Sequence, residues 1–363
     1  MQPFSPGIQP DSRIRAFIDE GAIKLARPAA EGQIQPASLD LRLGEKAYRV
    51  RASFLPGPGQ TVAQRLASLA LHEIDLTRGA VLETGCVYVA ELMEGLALPK
   101  GLRAAANPKS STGRLDVFTR VITDRAREFD LVEEGYEGPL FIEISPRTFP
   151  VLVRSGSRLS QIRFRAGEIR LDDRALGELH ERETLVSSAT PSFQSGVAVS
   201  VDLAGFDGGL VGYRGKHHTD VIDVDSPGAY RVADFWEPIA AEPSRSLILD
   251  PDQFYILASK EAVHVPPDYA AEMTPFDALV GEFRVHYAGF FDPGFGHSGA
   301  GGQGARAVLE VRSRDVPFII EDGQIVGRLV YEKMAARPEA LYGADLKSNY
   351  QGQALKLSKH FHD

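Results

Sequence analysis

Residues 82–106 read LETGCVYVAELMEGLALPKGLRAAA, and residues 249–273 read LDPDQFYILASKEAVHVPPDYAAEM. At a constant offset of 167 residues, Leu82 matches Leu249, Tyr88 matches Tyr255, Glu94 matches Glu261, Pro99 matches Pro266 and Ala104 matches Ala271. The same offset carries Phe141-Ile142-Glu143-Ile144 onto Val308-Leu309-Glu310-Val311, Pro150 onto Pro317 and Gly156 onto Gly323. Matches that keep phase over such a span are the mark of an internal repeat, and a repeat has to be recognised before any fold is assigned. The 363 residues are about twice a typical domain of roughly 150, so duplication also explains the length.

Within each copy the segments are short, branched or aromatic, and separated by turn residues, which is the pattern of strands. Glycine (35) and proline (23) are abundant, as turns between many short strands require. Two all-β modules are expected, near 30–166 and 195–334. Residues 11–25 place Ile14, Phe17, Ile18, Ala22 and Leu25 at helical spacing with Asp11 or Ser12 as cap, so a helix is expected there. A second helix is expected over 172–183, a linker over 187–196, and a polar, irregular tail after Met334. The domain boundaries expected are 1–185 for the first module with both helices, 186–334 for the second, and 335–363 for a tail that closes on ligand.

A net charge of −9 argues against a generic basic nucleic-acid binder. No apolar run reaches the ~18 residues of a membrane helix, and the start lacks the pattern of a signal peptide. A cytoplasmic protein without membrane or nucleic-acid partners is expected. The single cysteine, Cys86, excludes an intramolecular disulfide and any Cys-x-x-Cys zinc pair. Its strand-like setting reads as a small buried hydrophobe rather than a reactive thiol.

Four features carry chemistry. Asn107-Pro108-Lys109-Ser110-Ser111-Thr112-Gly113-Arg114-Leu115 brackets hydroxyls and a glycine with two cations, a composition suited to phosphate; the plain alternative is a solvated turn. It is not a P-loop, which needs Gly-x-x-x-x-Gly-Lys-Ser/Thr. Glu143 and Glu310 each interrupt an apolar strand at the same phase of the repeat. Facing outward, such a carboxylate is ordinary strand alternation; facing inward, its pKa rises and it can shuttle protons. Residues 286–295, from His286 through Asp292-Pro293-Gly294 to Phe295, read as a hairpin with aromatic residues able to stack on a base. The tail offers Tyr342, Lys347, Tyr350, Gln351 and Gln353 with little to bury, as a ligand-ordered lid does.

Taken in order, these pieces resemble one family. Ala37-Ser38-Leu39-Asp40-Leu41-Arg42-Leu43-Gly44 comes first, then Lys-Ser-Ser-x-x-Arg-Leu. Residues 133–143, from Glu133-Glu134-Gly135 to Glu143, follow, and Tyr350-Gln351-Gly352-Gln353 comes last. The combination resembles the dCTP deaminases of the trimeric dUTPase superfamily, here in a tandem form. The resemblance implies two distorted dUTPase-like β-barrels, sites formed between neighbouring barrels, and a homo-oligomer. It implies dCTP as substrate and dUTP as product, on the way to dTTP, with dTTP a candidate inhibitor. Lys109 stands where the family's phosphate loop has arginine, Ser110 and Arg114 would position the attacking water, and a strand glutamate would be the acid/base. Ser111, His286, Asp292, Tyr342, Lys347 and Gln353 would complete the nucleotide site.

Hydrolytic deamination delivers a water to C4 and a proton to the ring nitrogen. The zinc version needs a His-x-Glu and Pro-Cys-x-x-Cys set that one cysteine cannot supply. A glutamate held by hydroxyl and guanidinium groups can serve instead, with Mg²⁺ accompanying the triphosphate as counterion. The modules keep different parts. The first has the phosphate loop, but Arg120 replaces the family histidine and Glu133-Glu134-Gly135 replaces Asp-Pro-Gly. The second keeps His286 and Asp292-Pro293-Gly294, but its loop is Pro275-Phe276-Asp277-Ala278. A composite site is expected, with Glu310 ranked ahead of Glu143. Against it, Glu133 lies ten residues before Glu143, matching the family spacing, whereas Asp292 lies eighteen before Glu310. Three barrels in a ring also cannot alternate evenly between two module types. A dUTPase, a bifunctional dCTP-to-dUMP enzyme and a silent nucleotide-binding module remain the alternatives. Phe295-Gly296-His297-Ser298-Gly299 mimics a dUTPase motif, though not at the chain's end.

Overall fold

Branched and aromatic residues at period two build this chain from antiparallel strands. The computed structural model describes residues 4–206, 209–275, 283–286, 289–298, 304–313, 315–343 and 355–362. In the first half one sheet runs in the order Val117–Thr123, Glu137–Pro146, Val87–Ala97, Leu39–Val50, Arg158–Ala166, Arg103–Pro108, Leu131–Val132. Its two ends meet where the Asp130 N–H donates to the Val121 carbonyl at 2.9 Å and the Asp130 carboxylate accepts the Val121 N–H at 2.7 Å. The sheet is thereby a nearly closed barrel. The second half spreads corresponding strands over two sheets. One is Val197–Ser200, Ile325–Lys333, Tyr269–Pro275, Phe290–Phe291; the other is Trp236–Ala240, Leu210–Gly215, Tyr255–Val263, Ala305–Ser313, Phe283–His286.

The pairing register repeats at the offset seen in the sequence. Glu143 lies opposite Val89, and Glu310 opposite Ile256. Ile162 pairs with Ala106, and Leu329 with Met273. The hydroxyl of Tyr88 accepts the Glu83 N–H, and that of Tyr255 accepts the Asp250 N–H, both at 3.0 Å. Glu94 accepts the Arg42 N–H at 2.7 Å, and Glu261 likewise accepts a backbone N–H, that of Ser200 at 2.8 Å, although Ser200 lies nine positions short of the offset. Buried residues that coincided in the sequence therefore occupy matching places in two sheets.

The halves share a core. Phe149 of the first packs edge-on against Trp236 of the second at 5.2 Å, and Trp236 meets Phe254 at 5.9 Å. Strand Ile222–Asp223 adds in parallel to Val151–Val153, and Arg154 anchors it with 2.8 Å contacts to Asp223 and Asp225.

Helix expectations hold in part. The first helix is only Asp11–Asp19, capped by Pro10 without a side-chain bond. The chain turns at Gly21, whose φ of 77° favours glycine, and Ile23–Leu25 becomes a strand paired with Val87–Ala97. Helix Asp173–Glu183 forms with Asp172 as its cap. Helix Val62–Leu69 was not expected, although Thr61 and Gln64 form a capping box at its start, a signal legible in the sequence. Cys86 is half-buried against the core, just before strand Val87–Ala97. Among the described residues no helix is long and apolar enough to cross a membrane.

Candidate active site

The strand Arg103–Pro108 ends in proline, and the chain then makes one helical turn, Ser110–Gly113. That turn is fixed from outside: the Lys109 N–H donates to the Leu159 carbonyl at 3.0 Å, and Ser160 Oγ donates to the Asn107 carbonyl at 2.9 Å. Lys109 and both serines consequently face a cavity of about 520 Å³ between the halves. Its lining joins Asp40, Lys109, Ser110, Ser111, Arg114 and Arg158 of the first half to Phe290, Asp292, Glu310, Tyr342 and Lys359 of the second.

Glu310 enters from strand Ala305–Ser313. Its carboxylate Oε1 lies 3.8 Å from Arg114 Nε, and both side chains are more than nine-tenths buried. Burial pushes the Glu310 carboxyl up to about 8, against the opposing pull of Arg114. Such a group is protonated at neutral pH yet close to releasing its proton. The eighteen-residue gap back to Asp292 does not disturb this placement. Gly296 and Gly304 meet at a neck where the Gly304 N–H donates to the Gly296 carbonyl at 2.9 Å. Gly296 has φ 65°, and a Cβ there would lie 2.3 Å from the Val263 carbonyl, so the neck requires glycine.

Asp292 is held by an arginine from the other half. Arg163 Nη2 donates to Asp292 Oδ1 at 3.1 Å, Nη1 donates to the Ala271 carbonyl at 3.2 Å, and the guanidinium lies over the Phe290 ring at 4.1 Å. Burial raises the Asp292 carboxyl above the usual range, with Arg163 opposing. Tyr342 reaches the cavity because its N–H donates to the Pro293 carbonyl at 3.0 Å and its ring meets Phe295.

Glu143 lies elsewhere. It is buried in the first barrel beneath Arg120, which donates to it from Nη2 and Nε at 2.6 and 3.1 Å. Arg120 itself stacks over Phe129 and Phe118, and neither Glu143 nor Arg120 lines the cavity. The backbone of His286 pairs with Glu310 as that of Arg120 pairs with Glu143. Lys347, Tyr350, Gln351 and Gln353 fall outside the described residues, as do Phe276, Asp277 and Ala278.

Several cavity residues escaped the sequence reading. Asp40 ion-pairs with Lys109, and its place in Ala-Ser-Leu-Asp-Leu-Arg was the available signal. The segment 355–362 returns to the Lys109–Arg114 loop: Ser358 Oγ donates to the Ser111 carbonyl at 2.8 Å, and Arg114 Nη1 donates to the Lys356 carbonyl at 2.9 Å. This brings Lys359 into the cavity, where burial and the neighbouring Lys109 lower its pKa. Nothing in local composition marks Lys359 or Arg163, because each works through a contact distant in sequence.

Comparison with known proteins agrees with this geometry. Residues 5–168 match the model of the 2'-deoxycytidine 5'-triphosphate deaminase N-terminal domain, and residues 172–361 match that of the C-terminal domain. The crystal structure of 2'-deoxycytidine 5'-triphosphate deaminase from Agrobacterium tumefaciens is 64% identical and superposes with a TM-score of 0.91, covering 94% of this chain and 99% of that one. A dUMP-forming dCTP deaminase of Methanosphaera stadtmanae is 29% identical over 159 residues, 42% of this chain and 76% of that protein. A dCTP deaminase of Haemophilus influenzae is 29% identical over 141 residues, 37% of this chain and 69% of that protein. With family models covering both halves and a cavity that draws polar groups from each, the chain belongs to the dCTP deaminase family.

Proposed function

We propose that this chain hydrolyses dCTP to dUTP and ammonia at one composite site, with Glu310 as the acid/base. The observation that carries this reading is the meeting of Arg114 from the phosphate-loop half with Glu310 from the other half in a single cavity. Glu310, resting protonated, gives its proton to the ring nitrogen, then takes one from water as the oxygen bonds to C4. It passes that proton to the amino group, which leaves as ammonia when the C4–N bond breaks and the C4 hydroxyl returns its proton to Glu310. Ser110 and Arg114 hold the water, which a near-neutral buried carboxyl can then activate. Lys109, Ser111 and Lys359 bind phosphates, and Asp292, held by Arg163, faces the sugar. Mg²⁺ arrives with the triphosphate as part of the substrate. The repeated register supports an origin by copying of one barrel, after which the copies divided the working parts. Glu143, ion-paired to Arg120, is the remnant carboxylate in this reading.

A second reading has support of its own: the relatives named dUMP-forming, among them those of Methanosphaera stadtmanae and Sulfurihydrogenibium. Incubation with dCTP and Mg²⁺ separates the two. Ammonia with dUTP and no pyrophosphate supports deamination alone; ammonia with pyrophosphate and dUMP supports the bifunctional reading; neither product overturns both.

A further inference from the structure

Asp116 stands two residues beyond Arg114, and Arg312 stands two residues beyond Glu310. On a strand, residues two apart present their side chains to the same face, so Glu310 and Arg312 leave Ala305–Ser313 together. Arg312 donates from Nε and Nη2 to Asp116 Oδ2 at 3.1 and 2.6 Å. Thr148 Oγ1 donates to the same oxygen at 2.6 Å and accepts from Arg312 Nη2 at 2.8 Å. Arg312 Nη1 continues to the Asp252 carbonyl at 2.8 Å. All three side chains are buried. Asp116 holds φ 55°, a left-handed conformation uncommon for a residue with a side chain. Its backbone is pinned there, the N–H donating to the Gly113 carbonyl at 2.8 Å and the carbonyl accepting the Arg147 N–H at 2.9 Å.

The Arg114–Glu310 separation of 3.8 Å exceeds hydrogen-bond range, so that contact does not set its own spacing. The pair two residues farther along both segments can set it. We propose that Asp116, Thr148 and Arg312 form a positioning clamp that locks the two halves together beside the site and fixes the gap between Arg114 and Glu310 in which water and cytosine react. The inference rests on the reading of Glu310 as the acid/base. None of the three residues lines the cavity, so the clamp acts through Arg114 and Glu310 rather than on substrate. Misplacement of reacting groups by about 1 Å can lower a rate by roughly 10²-fold, whereas substrate affinity held by Lys109 and Ser111 is left largely intact.

The test is steady-state ammonia release from dCTP by the full chain and its Asp116→Asn, Arg312→Gln, Arg312→Lys, Thr148→Val and Thr148→Ser variants, with thermal melts run alongside. Asp116→Asn and Arg312→Gln are expected to lower kcat by about tenfold or more with KM changed less than about threefold. Thr148→Ser retains native kcat, and Arg312→Lys, which keeps charge but loses the planar fork, falls between. Folded Asp116→Asn and Arg312→Gln variants with native kcat overturn the clamp, as does a rise in KM at unchanged kcat. Should both fail to fold, Thr148→Val against Thr148→Ser decides: a lower kcat in the valine variant alone supports the clamp, and equal kcat overturns it. Glu310→Gln keeps the two failures apart. Full activity there overturns the acid/base reading, whereas lost activity there with native kcat in the clamp variants overturns the clamp alone.

Discussion

Arg114 Nε and Glu310 Oε1 stand 3.8 Å apart although 196 positions separate them in the chain. Neither half alone brings a cation of the Lys109–Arg114 loop to a strand glutamate within this cavity. In the first half the matching strand glutamate, Glu143, is instead bound by Arg120. The chemistry assigned to the chain therefore depends on how its halves dock as much as on the fold of either.

Raising a buried carboxyl's pKa has a consequence for stability. Burial raises Glu310 from the ordinary carboxyl value of 4.5 to about 8, so between those values the folded chain binds a proton that the unfolded chain has released. Its contribution is fully present below pH 4.5 and is lost as pH climbs through about 8. Glu310→Gln is therefore expected to melt at a higher temperature than the native chain at pH 8.5, with the gap shrinking toward pH 4.5. Scanning calorimetry at both pH values checks this, and a pH-independent gap contradicts it.

Arg163 supports Asp292 across the boundary. Arg163→Leu leaves a buried carboxylate without its cation, and breaking such a pair costs about 3–5 kcal/mol. Adding Asp292→Asn should recover part of that loss while leaving deamination impaired. Urea unfolding of the single and double variants, with their activities, measures both effects.

Lys109 and Lys359 line the same part of the cavity although 250 positions separate them in the chain. On the proposed function, a triphosphate between them would relieve their mutual repulsion. Hydrogen bonds to charged groups contribute roughly 1.5–3 kcal/mol each, so Lys109→Ala and Lys359→Ala should each raise the KM for dCTP by about tenfold or more. Competition by inorganic triphosphate should weaken in parallel; unchanged competition in Lys359→Ala removes that residue from the phosphate site.

The two-module architecture was legible because strand pairing preserves phase: a matched Leu82 and Leu249, or Ile142 and Leu309, must face matching sides of matching sheets. That the Lys109–Arg114 loop lines a cavity was legible because its polar groups are contiguous. The early end of the first helix was less so, since the apolar spacing of Ile14, Phe17, Ile18, Ala22 and Leu25 continues past Gly21 and only the turn there breaks it. Asp116, Arg163, Arg312 and Lys359 were not legible at all. Each has its meaning in a partner that only docking of the halves supplies, and no local spacing encodes that docking.

The choice between Glu310 and Glu143 is the sharpest test. Glu143→Gln leaves Arg120 partly buried without its charge partner, so it is expected to lose about 3 kcal/mol of stability and keep kcat within severalfold of native. Glu310→Gln is expected to lower kcat by about 10²–10⁴ while still binding dCTP. Single-turnover ammonia release from dCTP by the two purified variants reads this directly. Loss confined to Glu310→Gln is the expected result, and native turnover in Glu310→Gln with loss in Glu143→Gln contradicts the composite site.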